Sequence, residues 1–105
     1  MVLAKCLGTR FLPTAAHLSL AGIWLTPMLD VPEVAQAVKV STAHSPIVGG
    51  TWDPHGDAAA RAGKAQVLEL PGADHGLETP GDVQGSLLAL ATVIRAAEDF
   101  AADLT

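Results

Sequence analysis

Residues 3–9 read LAKCLGT, an apolar run that reaches a single cysteine and passes at once into Leu-Gly-Thr. Val2, Leu3 and Ala4 suit a short strand, and Gly8 lets the backbone turn tightly behind Cys6. Residues 7–18 then read as a helix bent at Pro13, whose ring removes a backbone donor. Strand followed directly by helix is one half of a parallel unit, and the remaining sequence repeats it.

Residues 21–26 form a second strand around the apolar run Ile23, Trp24 and Leu25. Asp30 reads as the cap of the next helix, with Pro32 in its first turn and Glu33 completing a capping box. That helix runs to about residue 40, with Val34, Ala37 and Val38 inward. Residues 45–49 give a third strand, ended by Gly50 and Asp53-Pro54. A short Ala-rich helix is predicted over 57–62, and a fourth strand over 66–70. From Gly81 onward Val83, Leu87, Leu90, Ile94, Ala97 and Leu104 recur at helical spacing, which predicts one long helix with that stripe inward. The expected fold is α/β, a four-stranded parallel sheet flanked by helices in one domain, 1–105.

The gross composition agrees. Of 105 residues, half are apolar and 16% are charged, the balance of a packed domain rather than a disordered chain. A net charge of −5 with scattered basic residues argues against nucleic acid or anionic membrane as a partner. The single cysteine makes neither an intrachain disulfide nor a multi-cysteine zinc site, which fits a reducing, cytoplasmic compartment. Residues 11–29 imitate a signal peptide or anchor, since Lys5 and Arg10 precede a mostly apolar run. Pro13, His17 and Thr26 interrupt it, Asp30 ends it, and no small-residue cleavage site follows.

In open parallel sheets, ligands gather at the carboxyl ends of the strands. Cys6 follows the first strand, Asp53 the third and His75 the fourth, each beside glycines. The segments VGGTWDPHGD, LPGADHGLE and LAKCLGT, in the order nucleophile, acid, histidine, resemble the second half of the α/β-hydrolase fold. The elbow departs from the family pattern, with Ala4 for its first glycine and Cys6 for its serine; a cysteine elbow is similar to that of dienelactone-hydrolase-like members.

The resemblance implies a task for each residue. Cys6 attacks the carbonyl carbon of a small acyl substrate, an ester or thioester, helped by the free N–H groups and dipole of the helix start. His75 takes the thiol proton and returns it to the leaving group. Asp53 holds the imidazole in the useful tautomer, and the Leu7 N–H supplies half of an oxyanion hole. No cofactor is implied.

Each residue also has a plainer reading. Cys6 fits a buried filler, Asp53 a turn residue before Pro54, and His75 a solvated loop side chain. Asp53, His55 and Asp57 alternate as metal ligands sometimes do, but they are too few for a hard cation and lack further donors for zinc; no metal site is expected. Trp24 and Trp52 suit the core or a pocket wall. Gly49-Gly50 has no phosphate-loop spacing. The resemblance leaves the first half of the family's fold unmatched, so the first strand is expected to be an exposed apolar edge open to a second copy. A non-catalytic relic or oligomerising module is therefore the alternative to an enzyme.

Overall fold

A computed structural model of the chain describes residues 1–40, 45–55 and 66–104. Strand β1 (Val2–Lys5) leads into a 3₁₀ turn (Cys6–Phe11) and helix α1 (Leu12–His17). Strand β2 (Gly22–Leu25), helix α2 (Pro32–Val40), strands β3 (Ile47–Gly50) and β4 (Val67–Leu70) and helix α3 (Val83–Asp103) follow. The strands form one sheet in the order β1-β2-β3-β4, all parallel. This is the α/β fold expected from the sequence. The helix predicted over 57–62 lies outside the described residues.

Alternation along β2 splits the core in two. Trp24 points toward α1 and α2, where it packs with Leu12, Leu29, Val34, Val38 and Ile47. Ile23 and Leu25 point the other way, toward Val48, Leu70, Val93 and the α3 face. A parallel sheet covered on both faces needs apolar residues on consecutive positions, which is why the run Ile23-Trp24-Leu25 reads as it does. Trp24 is fully buried, whereas Trp52 is 66% exposed and belongs to neither core.

Three expectations need correction. The helix over 7–18 is instead a 3₁₀ turn followed by a single short α-helix. The Leu12 N–H donates to the Thr9 carbonyl three residues back, and the Thr9 hydroxyl donates to the Cys6 carbonyl. Pro13 has no N–H with which to draw Thr9 into an α-helical bond, so the tighter turn persists until the proline has passed. Pro13 then occupies the first turn of α1, where the missing donor costs nothing.

Helix α2 starts later than a cap at Asp30 requires. The Val31 carbonyl accepts from the Ala35 N–H, which places Val31 at the cap position, and the Asp30 carboxylate faces His55. Helix α3 is rotated relative to the expected stripe. Val93 is buried with Ala89, Ala97 and Phe100 packed beside it, while Leu87, Leu90 and Ile94 are 60%, 53% and 49% exposed. Of the expected inward residues only Ala97 joins that contact. The helix start is capped by Asp82, whose carboxylate accepts from the Gly85 N–H at 2.8 Å.

Among the described residues strand β1 is the sheet edge, paired only with β2. Val2 and Ala4 pack on the α1–α2 side, so Leu3 turns to the α3 side, where it is 59% exposed. No helix among the described residues is long and apolar enough to cross a membrane.

Candidate active site

The site is built at the carboxyl ends of β1, β3 and β4. Cys6 stands where β1 stops, with φ of +52°, a backbone region that costs non-glycine residues energy and needs external support. Thr9 supplies that support. It is fully buried, donates its hydroxyl proton to the Cys6 carbonyl, and accepts from the Met28 N–H at 3.1 Å. One side chain thus ties the strained turn to the segment after β2.

Asp53 and His75 are brought together by the contact between two loops. The Trp52 N–H donates to the Ala73 carbonyl at 2.9 Å, and the Gly72 N–H donates to the Thr51 hydroxyl at 2.7 Å. A Cβ at Gly50 would collide with the backbone of Ala73 and Asp74, so glycine is what lets the histidine loop rest on the end of β3. Asp74, next to His75, shapes this loop. Its carboxylate accepts from the N–H groups of Gly76 and Glu78 at 2.9 and 3.1 Å, an Asx-type arrangement.

His75 lies between the other two residues. Its Nδ1 is 2.8 Å from Asp53 Oδ2 and its Nε2 is 2.8 Å from Cys6 Sγ. The Asp53 carboxylate is only 5% exposed, and its second oxygen accepts from the His55 backbone N–H at 2.8 Å. Both oxygens of a nearly buried carboxylate are therefore satisfied, as burial demands. With Nδ1–H donating to Asp53, the Nε2 lone pair is left to face the thiol. The three residues singled out in the sequence converge at hydrogen-bonding distance. Leu7 follows Cys6 in the 3₁₀ turn, where the first N–H groups have no partner within the turn. The dipole expected of a full helix there is reduced to that of short segments.

Two site residues were not read from the sequence in this role. The His55 ring packs against His75 with centroids 4.2 Å apart, and His55 Nδ1 lies 3.3 Å from Asp30 Oδ2. The only sequence signal was His55 two positions after Asp53; Asp57, considered with them, lies outside the described residues. Donor atoms of Asp53, His55 and His75 all lie within 4.8 Å of one another; the sequence reading grouped Asp53 and His55 with Asp57 and did not anticipate His75 as the third member.

A cleft of about 590 Å³ is walled by Leu25, Leu77, Val83, Leu87 and Leu90, with Lys5, Glu78 and Asp82 also on it and none of the three triad side chains. Lys5 precedes Cys6 and Gly76 follows His75, and both line it. Comparison of the chain with protein-family models, curated proteins and solved structures finds no match.

Proposed function

We propose that the protein is an acyl hydrolase of α/β-hydrolase type, acting on small esters or thioesters through Cys6, His75 and Asp53. The observation that carries this reading is the continuous Sγ–Nε2 and Nδ1–Oδ2 chain, with 2.8 Å at each link. His75 Nε2 takes the Cys6 proton as sulfur attacks the carbonyl carbon, and the Leu7 N–H faces the developing oxyanion. His75 then protonates the departing alcohol or thiol, leaving a thioester on Cys6. Water, deprotonated by His75, hydrolyses that thioester and regenerates the thiol. Asp53 fixes the tautomer and stabilises imidazolium in both halves. The apolar cleft beside Lys5 and Gly76 suits an uncharged acyl group. Neither a cofactor nor a nucleic acid has a role in this scheme, and a cytoplasmic setting suits the free thiol.

Asp53→Asn tests the assignment. The amide keeps the shape but turns His75 to the wrong tautomer, so kcat for an activated ester should fall on the order of ten-thousand-fold. Unchanged turnover in this variant would refute the triad.

A second reading is favoured by the β1 edge. Leu3, Leu87 and Leu90 leave apolar surface on the side of a strand whose outer edge has no partner among the described residues, the setting for edge-to-edge pairing of two copies. Under this reading the wild type sediments as a dimer, and Leu3→Lys shifts it to monomer without loss of helix content. A wild-type monomer at high micromolar concentration would exclude it.

A further inference from the structure

We propose that Asp53, His55 and His75 form a binding site for a zinc-type divalent cation, and that filling it switches the triad off. The inhibitory consequence rests on the hydrolase reading; the binding itself does not. One donor atom from each residue lies within 4.8 Å of the others. Two imidazole nitrogens and one carboxylate oxygen are the donor set of a three-ligand zinc site with a fourth position open to water. The same set is too poor in oxygen for calcium or magnesium.

His55 is oriented for the task from behind. Asp30 Oδ2 lies 3.3 Å from its Nδ1, the carboxylate–histidine pairing that orients a ligand ring and leaves its other nitrogen for the ion. The side chains of His55 and His75 are 36% and 23% exposed, so an ion and its water reach them from solvent, while Asp53 anchors the site from within.

The ion and the triad exclude each other because His75 has no spare nitrogen. Nδ1 is bonded to Asp53 and Nε2 faces Cys6. Coordination through Nδ1 releases its proton to solvent and breaks the tautomer control. Coordination through Nε2 consumes the lone pair that must accept the thiol proton.

The test titrates zinc into the untagged protein, with binding followed by calorimetry and Cys6 alkylation by iodoacetamide followed in parallel. One ion per chain is expected, with the alkylation rate falling along the same saturation curve. His55→Ala should weaken binding by about tenfold or more, Asp30→Asn should weaken it less, and Cys6→Ala should bind as tightly as the wild type. Cadmium NMR on the wild type needs no variant and should show a bound ion with two imidazole nitrogens. Absence of stoichiometric binding, or a folded His55→Ala protein that binds equally well, would overturn the proposal. Zinc binding by a protein without ester turnover would support it while refuting the hydrolase reading.

Discussion

Cys6→Ala should lower kcat/KM for a small activated ester by on the order of ten-thousand-fold or more, because it removes the chain's single thiol and with it the proposed nucleophile. Cys6→Ser should recover only part of the loss. It keeps a hydroxyl near His75 Nε2, but a hydroxyl is a far weaker acid than a thiol, so the proton transfer has less driving force. The fold should tolerate both changes, since the Cys6 side chain is only partly buried and the turn is held by Thr9 through backbone atoms. Circular dichroism and melting of the variants, beside their kinetics, separate lost chemistry from lost structure. Full activity in Cys6→Ala would mean that catalysis runs through other residues.

The second large effect is on stability. Trp24 is the largest fully buried side chain and joins β2 to α1 and α2 in one core. Trp24→Ala should destabilise the protein by about 3–5 kcal/mol, a large share of the roughly 5–15 kcal/mol that holds a domain together. Trp24→Phe should cost only about 1–2 kcal/mol. The reason is specific: Nε1 of Trp24 is buried with no hydrogen-bond partner among the described residues, so phenylalanine forfeits volume but no polar contact. Urea unfolding of the three proteins measures both numbers. A loss in Trp24→Phe well above about 2 kcal/mol would show that the indole N–H is bonded in solution.

The sheet was legible because its strands are short apolar runs, with β2, β3 and β4 closed by glycine or proline. In the interior strands β2 and β3, burial on both faces makes the run continuous rather than alternating. The positions of Cys6, Asp53 and His75 followed from the same signal, since each lies just past a strand. Helix α3 misled the reading for a physical reason. It is apolar around most of its girth, and Leu87, Leu90 and Ile94 stand outward while Ala89, Val93, Ala97 and Phe100 meet the sheet. Periodicity alone gave several apolar stripes, and packing against the sheet selected the one through Ala89, Val93, Ala97 and Phe100. Asp30 satisfied the local rules for a helix cap, and only a partner 25 residues away, His55, shows its other use. Thr9 gave no local hint at all, because its role depends on the Met28 N–H, which the fold alone brings within reach.

The most direct measurement is to mix the protein with an activated ester, quench with acid, and locate the acyl group by peptide mass spectrometry. The wild type should carry it on the peptide containing Cys6, formed in a burst and lost by hydrolysis. His75→Ala should carry little or none over the same interval, although its cysteine is intact. Equal acylation of Cys6 in both proteins would show only adventitious thiol reactivity and would contradict the proposed triad.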